Sequence, residues 1–373
     1  MAGLKVGEEI FNVEVEGPEN APCLILSNSL GTTLHMWDGQ MPALTQRFRV
    51  IRYDSRGHGK SVANDGPYSI EQLARDALGV LDALGVEKAH FVGLSMGGMV
   101  GMWLLTHAAE RIGKAVLCNT GAFMGGGDIW NQRIKSARNG EMESLVPQTI
   151  DRWFTKDFQE RNPDAVKRIA AMVRATPPLG YASSCAAIRD MDQREAIRAI
   201  ANPVLVIVGQ HDPATPPSMG GLIAANIKGA RLIDLDAAHL SNIEAEAAFT
   251  RAVVTFLTAP ERAAAPAPAK PAVKPAANKA AAKKPAKKAA KKAVKAAAGK
   301  KVGKTTAKKA AKKVAKKAAK KATKKSAVKK TTRKAPKPAA KKAAKKAAKK
   351  ASKKAPKKAA KKAPKKAAKK ARR

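Results

Sequence analysis

One pentapeptide constrains the fold of this chain more than any other segment, and it reads Gly93-Leu94-Ser95-Met96-Gly97. Residues 89–92 before it are strand-like, and residues 98–105 after it are helix-like. A serine on so sharp a strand-to-helix turn needs small neighbours, because larger side chains would clash with the strained backbone. The pattern therefore predicts a nucleophile elbow, which exposes the Ser95 hydroxyl at the end of a buried strand.

Two further residues form, with Ser95, a set that can activate a hydroxyl. Asp212 and His239 each follow an apolar strand-like segment, at residues 203–208 and 230–235. A serine hydroxyl is a poor nucleophile at its ordinary pKa and needs a neighbouring base, for which His239 is the best placed histidine. Asp212 would hold the imidazole in the correct tautomer and stabilise the imidazolium that forms. The alternative interpretation of each residue alone is an ordinary turn or surface residue.

Acyl transfer also requires two backbone N–H groups that point at the developing oxyanion. Met96, the residue after the candidate nucleophile, supplies one of these oxyanion-hole donors. The other belongs to the loop after the apolar strand-like segment at residues 22–27, and we assign it to Leu30 within that loop.

The other histidines are candidates by residue type alone, and they are His35, His58, His90, His107 and His211. His58 lies in a glycine-rich turn that lacks the Gly-Lys-Ser/Thr end of a P-loop, so we interpret the turn as a scaffold. His211 neighbours Asp212, and a structural role is expected for it.

Strand-like apolar runs alternate with helical periodicity along residues 1–258, which predicts an α/β domain with a mostly parallel sheet flanked by helices. A half-buried antiparallel strand is expected at residues 11–16, and helices are expected at 69–84 and 244–257. In the region of about residues 121–200 the strand-like runs disappear and helical stretches replace them. We interpret this region as a helical cap, inserted between two core strands over the active site.

Charge divides the chain into two very different parts. The net charge is +43, yet residues 1–260 hold 25 Lys and Arg against 28 Asp and Glu. Residues 261–373 hold the other 47 basic residues, a single acidic residue (Glu261) and no aromatic residue. Lys-Lys-Ala-Ala blocks interrupted by proline cannot bury a core, so residues 259–373 are predicted to be a disordered polycationic tail.

The composition of this tail resembles the C-terminal regions of linker histones and bacterial histone-like proteins. Such segments neutralise phosphates and release counterions, so they bind DNA, RNA or other polyanions strongly and without reading a sequence. The absence of aromatic residues argues against base stacking. The alternative is a solubilising extension without a selected partner.

Cysteine usage and hydrophobicity bear on where the protein works. The three cysteines, Cys23, Cys118 and Cys185, have no metal-ligand spacing and suggest no disulfide framework, so reduced thiols are expected. Neither a signal peptide nor a run of about 18 apolar residues is recognisable. We therefore expect a cytoplasmic protein, and its basic tail would allow it to associate with the nucleoid. We also expect a reaction that needs no metal or organic cofactor.

Four segments carry a family resemblance: Asn28-Ser29-Leu30-Gly31, Asp54-Ser55-Arg56-Gly57-His58-Gly59-Lys60-Ser61, Gly93-Leu94-Ser95-Met96-Gly97-Gly98 and Ala238-His239-Leu240-Ser241-Asn242-Ile243-Glu244. Together they resemble the 3-oxoadipate enol-lactonases, α/β-hydrolases of the β-ketoadipate pathway of bacterial aromatic catabolism. The resemblance extends over about residues 4–258 and does not include the basic tail. It implies the α/β-hydrolase fold, in which Ser, Asp and His follow one another in this order along the chain.

The resemblance also implies a substrate, a five-membered enol-lactone with a carboxymethyl side chain that is opened to 3-oxoadipate. Trp130 and Trp153 would line an apolar wall of the pocket, and Arg133, with Arg138 as a second candidate, would bind the carboxylate. For each of these cap residues the alternative is core packing or a surface position, and Trp103 is expected in the core.

Two alternatives stay open. Esterases, haloperoxidase-like enzymes and C–C hydrolases share the elbow and the triad, so another ester or lactone is the alternative substrate. A nucleoid-associated binding protein with a carrier hydrolase domain is the alternative function.

Overall fold

The computed structural model describes residues 3–260, and the tail predicted at residues 259–373 lies outside this part except for its first two residues. Its strands are β1 (Leu4–Val6), β2 (Glu9–Phe11), β3 (Val13–Glu16), β4 (Cys23–Ser27), β5 (Arg49–Tyr53), β6 (Ala89–Leu94), β7 (Ile112–Cys118), β8 (Val204–Gly209) and β9 (Arg231–Leu235). β1 and β2 form a small antiparallel sheet, and the others form one sheet in the order β3-β5-β4-β6-β7-β8-β9. Only β3 pairs antiparallel there, so the mostly parallel sheet predicted from the sequence is confirmed.

Successive side chains of the central strands point into two different cores, as the period of a strand requires. On β6, Phe91 packs into one core while Val92 and Leu94 pack into the other, and neighbouring strands alternate in the same way. This burial on both faces explains why the central strands read as continuous apolar runs.

The α-helices of the described residues are α1 (Met41–Leu44), α2 (Ile70–Ala83), α3 (Met96–His107), α4 (Gly127–Arg138), α5 (Met142–Trp153), α6 (Lys156–Arg161), α7 (Pro163–Ala175), α8 (Pro178–Asp190), α9 (Pro217–Asn226), α10 (Ser241–Glu244) and α11 (Glu246–Thr258). α2 is the helix predicted at residues 69–84. The Ser69 hydroxyl accepts a hydrogen bond from Gln72 N–H at its start, and Gly85 (φ +67°) follows its end. None of these helices is long and apolar enough to span a membrane.

Two predicted elements are each divided in the structure. The strand expected at residues 11–16 stops at Asn12, whose N–H donates to Ser61 Oγ and whose carbonyl accepts from Asp54 N–H. These bonds replace sheet pairing at that residue. The closing helix expected at 244–257 is α10 followed by α11, with Ala245 (φ −115°, ψ 44°) between them.

Five helices, α4 to α8, lie between β7 and β8 in the region where the sequence predicts a cap, and we call them the cap. The sequence predicts helical stretches at residues 129–138, 146–154 and 164–175, which correspond to α4, α5 and α7, whereas α6 and α8 were not predicted. α8 is buried over Gly180–Ile188, so it shows little of the one-sided periodicity that marks a surface helix. It packs directly on the glycine-rich turn, because a Cβ on Gly180 would lie only 2.3 Å from the Gly57 carbonyl oxygen.

A buried lysine fastens the end of the last described helix to the sheet. Lys114 on β7 is 5% exposed, and its Nζ donates to the backbone carbonyls of Phe256, Leu257 and Ala259. A cation at this position complements the partial negative charge of a helix C-terminus. The described chain thus ends at a fixed point beside the amino-terminal half of β7.

Candidate active site

Ser95 stands between β6 and α3 in a backbone conformation that residues other than glycine rarely adopt, with φ 57° and ψ −115°. The flanking glycines allow this turn. A Cβ on Gly93 would lie 2.3 Å from the Gly97 carbonyl oxygen, and a Cβ on Gly97 would lie 2.1 Å from the Ser27 carbonyl oxygen. The Thr120 hydroxyl also donates to the Ser95 carbonyl at 2.7 Å. Several contacts together therefore hold the strained residue in place.

Hydrogen bonding at the start of α3 leaves the N–H group of Met96 without an acceptor among the described residues. Ser95 N–H donates to the Cys118 carbonyl at 2.9 Å, and Gly97 N–H donates to the Asn28 carbonyl at 3.0 Å. Met96 N–H, between them, has no acceptor among the described residues. An N–H group at a helix N-terminus is well suited to stabilise a negative charge.

The loop after β4 also contains an N–H group without an acceptor among the described residues. Leu30 lies on the wall of the main cavity, and its N–H has no acceptor within residues 3–260. The neighbouring N–H groups all have acceptors: Ser29 donates to Met36 Sδ at 3.3 Å, Gly31 to His58 Nε2 at 2.9 Å and Thr32 to the Ser29 carbonyl at 3.2 Å. Both residues that the sequence nominated as oxyanion-hole donors thus have N–H groups without an acceptor among residues 3–260.

Asp212 and His239 are in direct contact at the carboxyl edge of the sheet. His239 Nδ1 lies 2.8 Å from Asp212 Oδ2, and both residues are almost fully buried. The carboxylate also accepts from Asn119 Nδ2 at 3.0 Å, from Thr215 Oγ1 at 2.7 Å and from the N–H groups of Ala214 and Thr215 at 2.8 and 2.9 Å. These bonds orient the carboxylate so that one oxygen faces the imidazole.

The environment of Asp212 keeps its carboxyl ionised. Burial alone would raise its pKa, but the charge of His239 and the hydrogen bonds from His239 and Thr215 outweigh burial and lower the pKa below its ordinary value. An ionised carboxylate holds the proton of the imidazole on Nδ1 and leaves Nε2 free to accept a proton.

Asn119 is a functional residue that the sequence patterns did not reveal. It follows β7 with φ 44°, and its Nδ2 donates to Asp212 Oδ2 at 3.0 Å and to the Ala238 carbonyl at 3.2 Å. Its Oδ1 accepts from Ser241 Oγ at 2.6 Å. Asn119 therefore connects the Asp212 loop with the His239 loop, and asparagine is among the few residues that tolerate positive φ. The sequence feature that marks Asn119 is its position directly after a buried strand.

The cap holds the His239 loop directly. The ring of Trp153 stacks on the His239 imidazole with a centroid distance of 6.1 Å, and the Trp153 carbonyl accepts from Leu240 N–H at 3.1 Å. The Glu244 carboxylate accepts from Ala238 N–H at 2.9 Å and from the hydroxyl of Thr155, at the start of α6. The cap residues that cover the cavity thus also set the position of the imidazole.

Ser95 and His239 lie on the wall of one cavity of about 180 Å³ between the sheet and the cap. All three predicted substrate-binding residues, Trp130, Arg133 and Trp153, line it as well. Most of the remaining wall is apolar, from residues such as Met99, Met124, Ile129, Tyr181 and Ile188. The volume lies below the roughly 300–1,000 Å³ that is typical of drug-sized ligands, so the cavity fits a small molecule.

Two arginines give the cavity wall positive charge. The Arg133 guanidinium carbon lies 5.0 Å from the ring centroid of Trp130, and Arg152, which the sequence did not nominate, lies near Trp153. Neither arginine forms an ion pair with any carboxylate of residues 3–260. The prediction for Arg138 was wrong, because this residue points away from the cavity and pairs with Asp65 at 2.7 Å.

The other histidines lie away from Ser95 or are committed to structural contacts. His211 pairs with Asp236 at 2.8 Å on the surface, His35 lies 3.3 Å from Asp38, and His107 stacks on Trp103. His90 packs edge-on against Phe48. His58 is fully buried and contacts the Leu30 loop. Trp103 is half-buried and packs against one of the two cores, as expected.

Comparison with known proteins agrees with this geometry. Residues 22–246 match the family model described as alpha/beta hydrolase fold. The chain is 38% identical over 234 residues to 3-oxoadipate enol-lactonase 1 of Acinetobacter baylyi, which covers 63% of this chain and 88% of the relative.

Two solved structures are similar as well. The enol-lactonase from Burkholderia xenovorans LB400 has 46% identity and a TM-score of 0.67, covering 68% of this chain and 98% of that one. The thermophilic esterase from Thermogutta terrifontis has 26% identity and a TM-score of 0.64, covering 69% and 96%.

The lowered pKa of Asp212 predicts a pH-dependent contribution to stability. Because the pKa is depressed in the folded protein, the contribution is complete above the ordinary Asp pKa of about 4 and is lost as pH falls through the folded value. The difference in free energy of unfolding between wild type and Asp212→Asn should therefore shrink between about pH 5 and about pH 2. Urea unfolding measures this difference.

Asp234→Asn provides the control, because Asp234 is exposed on β9. Its difference from wild type should change little over the same pH range. A difference for Asp212→Asn that stays constant across this range would contradict the electrostatic account of the Asp212–His239 pair.

Proposed function

Because the chain belongs to the α/β-hydrolase family, we propose that it opens 3-oxoadipate enol-lactone to 3-oxoadipate through a Ser95–His239–Asp212 acyl-enzyme mechanism. The family and the enol-lactonase relatives support an ester or lactone hydrolase. The observation that carries the choice of substrate is the shared cavity, in which the candidate nucleophile and base meet an arginine without a carboxylate partner. A small lactone that bears a carboxylate matches these groups.

In the first step, the Ser95 hydroxyl proton passes to Nε2 of His239 while Oγ attacks the lactone carbonyl carbon. The N–H groups of Leu30 and Met96 stabilise the oxyanion of the tetrahedral intermediate. The intermediate then collapses, and the bond between the carbonyl carbon and the ring oxygen breaks. The ring oxygen leaves as an enolate, which is already stabilised by resonance, so it demands little acid catalysis from His239.

In the second step, water releases the product. The enolate gains a proton at carbon and becomes the ketone of 3-oxoadipate, and His239 gives up its proton to the enolate or to solvent. The neutral imidazole then removes a proton from a water molecule, whose oxygen attacks the acyl carbon. Collapse of this second tetrahedral intermediate breaks the bond to Ser95 Oγ, which recovers its proton from His239.

In this proposal, residues of the cap recognise the substrate. Trp130 and Trp153 provide flat apolar surface on the cavity wall, and Arg133 provides a guanidinium group for the carboxymethyl side chain. Because this cation has no carboxylate partner within residues 3–260, an anionic substrate would not displace an existing ion pair. The proposed role places the enzyme in bacterial aromatic catabolism, in the β-ketoadipate pathway.

A second candidate is the hydrolysis of another ester or lactone, which the similarity to the Thermogutta terrifontis esterase favours. The two candidates differ in what they require of Arg133. A neutral ester needs only the elbow, the oxyanion hole and the His239–Asp212 pair, whereas the enol-lactone also uses the cation.

The basic tail receives a proposal of its own. The 47 Lys and Arg residues among residues 261–373 face one acidic residue, and this charge is sufficient for strong non-specific binding of a polyanion such as DNA or RNA. Such binding would associate a cytoplasmic enzyme with the nucleoid. A binding protein whose hydrolase domain is only a carrier would have no need of the Asp212 hydrogen-bond network or of a formed elbow.

Replacement of the nucleophile tests the mechanism. Ser95→Ala should lower kcat/KM for 3-oxoadipate enol-lactone by about 10⁴-fold or more, because no other group can form the acyl-enzyme. Loss of lactone absorbance follows the reaction. Ser136→Ala, a change on α4 outside the cavity, should retain wild-type turnover. Enol-lactone hydrolysis that persists in Ser95→Ala would exclude the acyl-enzyme mechanism.

Substitution of the cavity arginine tests the substrate. Arg133→Gln should raise KM for the enol-lactone by about ten- to a hundred-fold, because a charge-assisted hydrogen bond to the carboxylate is lost. KM for a neutral aryl ester should change little. Arg138→Gln, on the same helix but paired with Asp65 outside the cavity, is the matched control. Equal effects of Arg133→Gln on both substrates would favour the second candidate function.

Removal of residues 261–373 tests the tail. The shortened protein should keep its enol-lactone turnover and lose binding to double-stranded DNA measured by fluorescence anisotropy. For the full chain, the logarithm of the binding constant should fall linearly with the logarithm of salt concentration. A full chain that does not bind DNA at low salt would refute the polyanion proposal and leave the enzymatic one untouched.

A further inference from the structure

The proposed mechanism leaves one fully buried histidine without a role. His58 has no solvent exposure and lies in the glycine-rich turn after β5. Its Nε2 lies 2.9 Å from Gly31 N, and its Nδ1 lies 3.1 Å from the Arg56 carbonyl oxygen. We infer that His58 is a positioning residue of the oxyanion hole, which fixes the loop after β4 so that Leu30 N–H faces the reacting carbonyl.

The two contacts define the state of the imidazole. Gly31 N–H can only donate, so His58 Nε2 is the unprotonated nitrogen, and Nδ1 carries the proton that the Arg56 carbonyl accepts. Burial lowers the pKa of His58, in keeping with a neutral ring. A neutral imidazole of fixed tautomer is therefore a rigid acceptor for one peptide N–H of the loop.

The contact with Gly31 matters because of the shape of the loop. Gly31 has φ +78°, a conformation that permits the chain to turn sharply directly after Leu30. Thr32 N–H closes this turn on the Ser29 carbonyl at 3.2 Å, and the Asp54 carboxylate accepts from Leu34 N–H at 2.8 Å. If Gly31 N–H lost its acceptor, the loop could rotate to satisfy that N–H elsewhere and redirect Leu30 N–H away from the cavity.

The position of His58 is itself fixed from outside. Gly57, with φ +79°, packs so closely against Gly180 of the cap that a Cβ on Gly57 would lie 2.7 Å from the Gly180 Cα. The cap, the glycine-rich turn and the Leu30 loop are thus in contact in this order. This inference rests on the proposed function, because the effect of His58 appears through the oxyanion hole.

Two substitutions separate the two hydrogen bonds of the imidazole. His58→Gln places an amide oxygen where Nε2 stands and preserves the acceptor for Gly31, whereas His58→Asn places an amide nitrogen near Nδ1 and preserves only the donor to Arg56. The assays are hydrolysis of p-nitrophenyl acetate, a neutral ester, and hydrolysis of the enol-lactone. His107→Asn, an exposed change on α3, is the control.

We expect His58→Asn to lower kcat for both substrates by about 10- to 100-fold with KM nearly unchanged, because a misplaced oxyanion donor weakens transition-state binding only. His58→Gln, which keeps the acceptor for Gly31 N–H, should retain most of the wild-type kcat. Affinity for a small alkyl boronic acid, which forms a tetrahedral adduct with the serine, should fall in parallel with kcat. Equal kcat in the two variants, or a loss confined to KM, would overturn the inference.

Amide hydrogen exchange of Gly31 provides a readout that does not depend on turnover. Protection of this N–H should persist in His58→Gln and decrease in His58→Asn, while the temperature of unfolding distinguishes this local effect from general destabilisation. If Gly31 protection is the same in both variants, the contact does not fix the loop and the inference fails. A wild type without Ser95-dependent hydrolysis of either substrate would instead refute the proposed function, and the exchange data would still decide the His58 contact.

Discussion

The strained backbone of Ser95 is the constraint on which the rest of the site depends. A residue held in such a conformation costs about 1–3 kcal/mol and persists only where its surroundings fix it. Here the surroundings are tightly packed backbone, because a Cβ on Gly97 would meet the Ser27 carbonyl at the end of β4 and a Cβ on Gly93 would meet the Gly97 carbonyl. The same close approach brings the loop after β4 beside the start of α3. The proposed oxyanion hole is therefore a consequence of how the proposed nucleophile is held.

The parallel sheet collects the other groups at the same edge. The segments after β4, β6, β7, β8 and β9 contribute Leu30, Ser95, Asn119, Asp212 and His239 respectively. Each residue comes from a different strand end, so register and strand order determine the geometry of the site as much as any single residue does. The cap completes the arrangement, since Trp153 both covers the cavity and contacts the imidazole. In the proposed mechanism, substrate binding and orientation of the base thus depend on the same helix of the cap.

Local patterns were sufficient to predict the sheet and the elbow, and the candidates named with the family resemblance, Trp130, Arg133 and Trp153, line the cavity. A strand-to-helix turn with glycines has few alternatives, and strands buried on both faces have a strong signal. The contacts of Asn119, and which of Arg152 and Arg138 lines the cavity, could not be predicted, because they depend on how distant segments of the chain pack together. Arg133 and Arg138 belong to one helix, and only its packing decides which of them faces the cavity. α8 escaped prediction because burial on several sides removes the period of a helix.

The contact between Lys114 and the end of α11 determines where the chain leaves the folded domain. Lys114 lies near the amino-terminal end of β7, and Asn119 directly follows the carboxyl end of this strand. The nearly extended chain between them spans up to about 17 Å. The described chain therefore ends near the amino-terminal ends of the parallel strands, whereas Ser95, Asp212 and His239 lie at their carboxyl ends.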